Sequence, residues 1–147
     1  MKTQVALEPA LPKTIHLVGI GGIGLSAIAR VLHAWGHHVQ GSDLHESDIT
    51  RGLNELGIRT FVGQRAEQIA GVDLVVMSSA VPEDNPEVVA ARAAGIPVIK
   101  RHQLLGEMLK GRTSIAIAGT HGKTTTSAMC ATVLHRLGLS PTFVVGG

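Results

Sequence analysis

Aromatic side chains are nearly absent from this sequence: two phenylalanines, one tryptophan and no tyrosine make up 2% of its 147 residues. Charged residues are also few, at 16% of the chain, against about 25% in an average soluble protein. A disordered chain has few hydrophobic and many charged residues. Because 44% of the residues here are hydrophobic, the composition excludes a disordered protein. A core of Val, Ile, Leu and Ala suits buried parallel strands with helices packed on them.

Other shortages narrow the class of protein further. The one cysteine, Cys130, excludes an internal disulfide and fits a reducing compartment. The longest mostly apolar stretch, residues 17–29, is 13 residues long, too short for a membrane span, and no signal peptide is recognisable. The formal charge of +2, without a basic block or interleaved aromatics, argues against nucleic acid as a partner. We therefore expect a soluble, cytoplasmic protein.

Strand-like and helix-like segments alternate along the first 110 residues. The predicted strands are residues 14–18, 39–42, 59–62, 74–77 and 97–99. Helical patterns follow them and end near residues 35, 56, 70, 95 and 111. Asn85 as a cap, Pro86 at the first helical position and Glu87 in the first turn give a strong helix start. This alternation predicts an α/β fold, a Rossmann-like doubly wound parallel sheet.

The best candidate for a domain boundary is Lys110-Gly111-Arg112. After it we predict a strand at 114–118, a helix at 123–137 and a strand at 142–145. One such β-α-β unit cannot bury its own faces. The sequence therefore predicts a first domain over residues 1–110, with residues 111–147 beginning a second one.

The first glycine motif, Gly19-Ile20-Gly21-Gly22-Ile23-Gly24, lies between a predicted strand and a predicted helix. Glycines let the backbone turn tightly and approach a diphosphate, which then lies at the helix N-terminus. Asp43 ends the next strand, where a carboxylate suits a ribose. A glycine turn chosen only for close packing is the alternative, but this context favours a nucleotide, and a dinucleotide is a fair interpretation.

The second motif is Gly119-Thr120-His121-Gly122-Lys123-Thr124-Thr125. It is a shortened P-loop, because Ile117 stands where the strict pattern needs its first glycine. Its parts suit a nucleoside triphosphate: backbone amides for phosphates, Lys123 for the β- and γ-phosphates and Thr124 for Mg²⁺. The alternative, an ordinary capped helix, is less favoured because a lysine in the first turn opposes the helix dipole.

Two further segments lie where predicted strands end. Lys100-Arg101-His102 places cations at a helix start, which a bound anion would explain as well as a solvated basic loop does. Ser78-Ser79-Ala80 is placed to offer hydrogen bonds to a ligand, although serine is also common where strands end.

Histidine and cysteine give weaker candidates. His33 and His37 are four residues apart, but no cysteine or carboxylate stands at ligand spacing, so exposed histidines are favoured over a metal pair. Cys130 is interpreted as a small buried residue and not a nucleophile.

Taken together, the motifs resemble the Mur ligases. The resemblance is carried by both glycine motifs and by Gly41-Ser42-Asp43, Ser78-Ser79-Ala80-Val81, Asp84-Asn85-Pro86-Glu87 and Pro141-Thr142-Phe143, all in the family's order. It implies a cytoplasmic, ATP-dependent ligase of peptidoglycan synthesis that joins L-alanine to UDP-N-acetylmuramate through an acyl phosphate, with Mg²⁺.

The resemblance also implies roles for individual residues. Those that would hold the UDP-sugar are Gly21, Gly22, Ile23, Gly24, Ser42, Asp43, Ser79, Arg101 and His102. Those that would hold ATP are Gly119, Thr120, His121, Gly122, Lys123, Thr124 and Thr125, with Lys123 on the phosphates and Thr124 on Mg²⁺.

Two other functions stay open at this point. An NAD(P)-binding Rossmann domain of an oxidoreductase fits residues 19–43 but leaves the second motif unexplained. A stand-alone, non-catalytic nucleotide-binding module fits both motifs. Because the resemblance implies three domains, we expect these 147 residues to bind nucleotide without forming the amide bond on their own.

Overall fold

Five parallel strands form one sheet in the computed structural model, which describes residues 11–145. The strands are β1 (Thr14–Val18), β2 (His38–Asp43), β3 (Arg59–Val62), β4 (Leu74–Met77) and β5 (Val98–Lys100). Their order across the sheet is β3-β2-β1-β4-β5. The chain therefore builds outward from β1 in both directions, and ligands of such sheets bind at the carboxyl ends of the strands beside this switch point.

Helices cover both faces of the sheet. The α-helices are α1 (Ile23–Ala34), α2 (Asp48–Glu55), α3 (Pro86–Ala93), α4 (Arg101–Leu109) and α5 (Lys123–Arg136), and Ala66–Ile69 forms a short 3₁₀ helix. No helix among residues 11–145 has the length and apolar character needed to cross a membrane.

The hydrophobic core is divided by the sheet into two clusters. Strand residues such as Ile15 and Leu17 pack on one face with Ile28 of α1 and Leu104 of α4. Alternate strand residues, Val18, Val75 and Met77, pack on the other face with Val88 and Ala91 of α3. The side chains of a strand alternate between the two faces of the sheet. Because both faces are covered, all four residues of β4 are buried. The predicted doubly wound parallel sheet is confirmed.

Local signals predicted most element ends to within a few residues. The Asn85 side chain accepts hydrogen bonds from the amides of Glu87 and Val88, and Pro86 is the first residue of α3. Helix α4 begins at Arg101, earlier than its apolar pattern suggests. The Gln103 side chain accepts a hydrogen bond from the Lys100 amide at 2.8 Å, which anchors this earlier start.

The predicted strands at 114–118 and 142–145 are wrong: both segments lack regular structure, and only the helix between them, α5, is formed. A strand needs a partner for its backbone hydrogen bonds, and none of the described strands extends beside these segments. In α5 only Ala131 is buried. The predicted β-α-β unit is therefore present as a largely exposed helix between two irregular segments.

Candidate functional site

The glycine loop, residues 19–24, is held in place by the end of β2. The amides of Gly19 and Ile20 both donate to the Ser42 carbonyl, at 2.8 and 3.0 Å. The next amide, that of Gly21, donates to Asp43 Oδ2 at 2.9 Å. Two neighbouring residues of β2 therefore accept three successive amides of the loop, which fixes the direction in which the chain enters α1.

The amide of Gly22 donates to the Gly19 carbonyl at 3.1 Å, but the three amides after it have no acceptor among the described residues. Helix α1 starts at Ile23, and its cap residue Gly22 offers no side chain. Within residues 11–145, the amides of Ile23, Gly24 and Leu25 have no hydrogen-bond partner, and the first turn carries no acidic residue. Free amides and the positive end of the helix dipole together favour a bound anion.

Arg101 brings a positive charge to the same place. Its guanidinium lies so close to Gly24 that a Cβ atom placed on Gly24 would overlap it. Gly21 is also confined, since a Cβ there would lie 2.8 Å from Asp43 Oδ2. The glycines at these two positions therefore admit the side chains of Arg101 and Asp43, and the loop, the end of β2 and the start of α4 form one crevice.

The three residues of the basic segment have different surroundings. Lys100 Nζ lies 3.4 Å from Glu83 Oε1, and Arg92 also pairs with that carboxylate. Hydrogen bonds from Arg92, and then from Lys100, lower the pKa of Glu83 below its usual value. His102 is exposed in the first turn of α4. Arg101, in contrast, is in contact with Gly24 of the glycine loop.

The two predicted serines, Ser42 and Ser79, have different surroundings. The Ser42 side chain is fully buried and donates to Glu87 Oε2 at 2.5 Å. This side chain points to the interior because β2 alternates, and only the Ser42 carbonyl reaches the loop. Ser79 is exposed, whereas Ser78 Oγ would lie 3.1 Å from a Cβ on Gly19. Ser78 is thus the serine that packs against the loop.

A buried polar network beneath the loop was not predicted from the sequence. His16 and Glu87 are both fully buried, with His16 Nε2 3.0 Å from Glu87 Oε1. The sequence contained one signal, since His16 interrupts the apolar strand β1 between Ile15 and Leu17. Its partner lies 71 residues away, and no local pattern pairs the two.

The second loop, residues 119–125, lies at the start of α5. Gly122 has φ = +76° and precedes the helix, a conformation that favours glycine. Lys123 Nζ donates to the Gly119 carbonyl at 2.8 Å, and His121 Nδ1 lies 3.2 Å from Thr120 Oγ1. All seven residues from 119 to 125 are exposed. The loop therefore presents its amides, its lysine and its threonine hydroxyls to solvent.

The weaker candidates acquire no functional geometry. His37 Nδ1 lies 3.0 Å from the Pro12 carbonyl, and His33 is exposed. Within the described part of the chain, no three His, Cys, Asp or Glu residues are grouped as metal ligands. Cys130 is a half-buried free thiol on α5.

Comparison with known proteins places this geometry in a family. Residues 14–113 match the model of the "Mur ligase family, catalytic domain". Over 135 residues the chain is 56% identical to the UDP-N-acetylmuramate–L-alanine ligase of Leptothrix cholodnii. The match covers 92% of this chain and 29% of that protein, so the chain spans less than a third of the length of this curated relative.

Solved structures agree with the sequence comparison. The UDP-N-acetylmuramate–alanine ligase of Thermotoga maritima superposes with a TM-score of 0.81 at 43% identity, over 85% of this chain and 30% of its own. The UDP-N-acetylmuramate:L-alanyl-γ-D-glutamyl-meso-diaminopimelate ligase of Neisseria meningitides gives 0.84 at 35% identity, over 93% and 44%. The match to the family model and these likenesses together show that the chain belongs to the Mur ligase family.

Proposed function

We propose that this chain supplies the UDP-N-acetylmuramate site and the ATP loop of a ligase that joins L-alanine to UDP-N-acetylmuramate. One observation carries the proposal: three amides without an acceptor in the described part of the chain, at the start of α1, lie beside the guanidinium of Arg101. This arrangement suits a diphosphate, and a relative 56% identical to the chain bears the name of that ligase.

Each part of the crevice has a role in this proposal. The amides of Ile23, Gly24 and Leu25 bind the diphosphate, and Arg101 neutralises part of its charge. Asp43 accepts the Gly21 amide with one carboxylate oxygen, and its second oxygen accepts a hydrogen bond from a ribose hydroxyl. Ser79 and His102 are exposed and are assigned to the rim that meets the sugar.

The second loop is assigned to ATP. Its residues fit a triphosphate, because the amides at the start of α5 are solvent-exposed and Lys123 is held only by a backbone carbonyl. Lys123 would bind the phosphates and Thr124 would ligate Mg²⁺, which supplies charge neutralisation at the phosphates. In the proposed reaction a carboxylate oxygen of the muramyl lactate takes the γ-phosphoryl group and ADP leaves. The amine of L-alanine then displaces phosphate to form the amide.

The amide-forming step is proposed for a chain of the length of the curated relatives. The 135 matched residues cover 29% of the length of the relative, and in α5 only Ala131 is buried. We expect these residues alone to bind the UDP-sugar without releasing ADP in response to L-alanine. A cytoplasmic location is proposed with this function, since its substrates are cytoplasmic nucleotides.

Calorimetric titration of the chain with UDP-N-acetylmuramate and, separately, with NAD⁺ tests the proposal. We expect saturable binding of one UDP-N-acetylmuramate per chain and no response to NAD⁺. Family membership does not favour the NAD(P)-dependent oxidoreductase that the first motif alone left open. Tight NAD⁺ binding without a response to the UDP-sugar would overturn the proposal and restore that alternative.

A further inference from the structure

Three polar side chains meet in the interior directly below the glycine loop. His16 of β1, Ser42 of β2 and Glu87 of α3 are each 0% exposed. Glu87 Oε1 lies 3.0 Å from His16 Nε2, and Glu87 Oε2 accepts a hydrogen bond from Ser42 Oγ at 2.5 Å. One carboxylate from α3 thus joins the two central strands β1 and β2 that end at the loop.

The hydrogen-bond pattern defines which atom donates in each contact. Gln40 Nε2 donates to the Gln68 carbonyl at 2.8 Å and also lies 3.2 Å from His16 Nδ1. Because an amide NH₂ only donates, His16 Nδ1 is the acceptor and Nε2 carries the proton. Both His16 and Ser42 therefore donate to Glu87, whose carboxylate also lies in the first turn of α3, where the helix dipole favours a negative charge.

Stability alone does not require this network. Elsewhere on the same face of the sheet the space below α3 is filled by Val18, Val75 and Met77, and apolar side chains there avoid the desolvation of a buried carboxylate. A fully satisfied polar network instead fixes the relative position of the elements that it joins. Here those elements are α3 and the end of β2.

The end of β2 also holds the glycine loop in its conformation through hydrogen bonds. The Ser42 carbonyl accepts the amides of Gly19 and Ile20, and its neighbour Asp43 accepts that of Gly21. A rotation of the Ser42 peptide would release the first two amides and change the direction in which the next three point. The hydrogen bond from Ser42 Oγ to Glu87 restrains this rotation through the Ser42 side chain, which points out of the sheet towards α3.

We propose that Glu87 is a positioning residue for the glycine loop: acting through Ser42, it orients the β2 end so that the amides of Ile23, Gly24 and Leu25 face the ligand. Glu87 itself is fully buried. The proposal deepens the assigned UDP-sugar site and rests on that function for its binding readout, although its effect on the loop is measurable without any ligand.

The test compares Ser42→Ala, Glu87→Gln and the double variant with Val88→Ala in the same chain. Val88 is buried beside Glu87 on α3 but packs only in the apolar cluster, so it controls for lost stability. Hydrogen exchange of the Gly19 and Ile20 amides is measured relative to the Val76 amide of the core. Affinity for UDP-N-acetylmuramate is measured by calorimetry at a temperature where every variant is folded.

In both Ser42→Ala and Glu87→Gln we expect relative exchange at Gly19 and Ile20 to rise about tenfold, and affinity to fall by a similar factor. These factors correspond to the loss of one charge-assisted hydrogen bond. The double variant should match the single variants, because both act on the same interaction: Ser42→Ala removes its donor, and Glu87→Gln removes the charge of its acceptor. Val88→Ala should leave both readouts within about twofold, the range expected for a change outside that coupled pair.

The outcomes separate this proposal from the function on which it rests. Unchanged exchange at Gly19 and Ile20 in both single variants, or additive effects in the double variant, would overturn the positioning role. If the unaltered chain fails to bind UDP-N-acetylmuramate, the proposed function falls, and the exchange measurement still decides the role of Glu87.

Discussion

At the scale of single residues, Gly24 and Arg101 form a complementary pair. The guanidinium lies in the space that any side chain at position 24 would need. Glycine is otherwise unfavourable within a helix, by about 0.5–1 kcal/mol relative to alanine. A glycine in the first turn of α1 is therefore explained by the arginine that it admits.

Replacing this glycine should separate binding from stability. In Gly24→Ala we expect Arg101 to be displaced and affinity for UDP-N-acetylmuramate to fall about tenfold or more, as the loss of a charge-assisted contact implies. The melting temperature should stay level or rise, because alanine favours the helix. Gly106→Ala is the matched control, since Gly106 lies in α4 with open space around it, and it should leave affinity unchanged. Undiminished binding by Gly24→Ala would show that Arg101 is not needed.

Removal of the arginine gives an independent check. Arg101→Ala should weaken UDP-N-acetylmuramate binding by about tenfold or more, since hydrogen bonds to charged groups contribute roughly 1.5–3 kcal/mol. Arg92→Ala removes an exposed arginine that pairs with Glu83 instead, and should bind normally in the same calorimetric titration. An equal loss of affinity in both variants would show that the overall positive charge of the protein, and not a specific site at Arg101, attracts the ligand.

Glu83 should report its ion pairs through its titration. Its pKa is lowered by Arg92 first and Lys100 second. A depressed folded-state pKa means that the pairs stabilise the fold above the ordinary glutamate pKa, and that this contribution is lost as pH falls through the folded-state pKa. In a ¹³C NMR pH titration we expect the pKa of Glu83 to move up toward its usual value in Arg92→Ala. An unchanged titration curve would show that Arg92 does not cause the lowered pKa of Glu83.

At the scale of elements, helix α3 has one feature that the sequence predicts and one that it does not. Its start was predictable because Asn85, Pro86 and Glu87 are adjacent in sequence and act locally. The contacts of Glu87 with His16 and Ser42 span 71 and 45 residues. Such pairs depend on how strands and helices stack, which no short pattern encodes.

The capping of α3 makes a prediction about stability. Asn85→Ala should lower the free energy of unfolding by about 1 kcal/mol, the usual cost of losing a helix cap. Chemical denaturation checks this value, and Ser47→Ala provides a comparison because Ser47 caps α2 through the Thr50 amide. A cost near zero for Asn85→Ala would mean that water replaces its two hydrogen bonds to the amides of Glu87 and Val88.

The second loop shows where element prediction failed. Helix α5 forms at the predicted place because Gly122 and the following residues supply local signals. The flanking strands were inferred from apolar runs, but Ile115 and Phe143 remain exposed. A strand is completed by a neighbour in the sheet, so an apolar run alone predicts it only where such a neighbour exists.

At the scale of the whole molecule, the sheet brings distant residues to one edge. Parallel strands in the order β3-β2-β1-β4-β5 place the ends of β1 and β2 beside each other, and Arg101 follows β5 directly. The alternation of strands and helices was sufficient to predict this architecture. The boundary near Gly111 stays a prediction, and just beyond it the Arg112 guanidinium lies 4.0 Å from the centre of the Trp35 ring.

The central claim is that a UDP-sugar binds at the start of α1, and an NMR titration of the ¹⁵N-labelled chain with UDP-N-acetylmuramate tests it most directly. The account predicts that the largest amide shifts occur at Ile23, Gly24 and Leu25, whose amides have no partner among residues 11–145. The amides of Gly19 and Ile20, already bonded to Ser42, should shift less. No saturable shifts at the start of α1, or shifts confined to other parts of the sheet, would contradict the account.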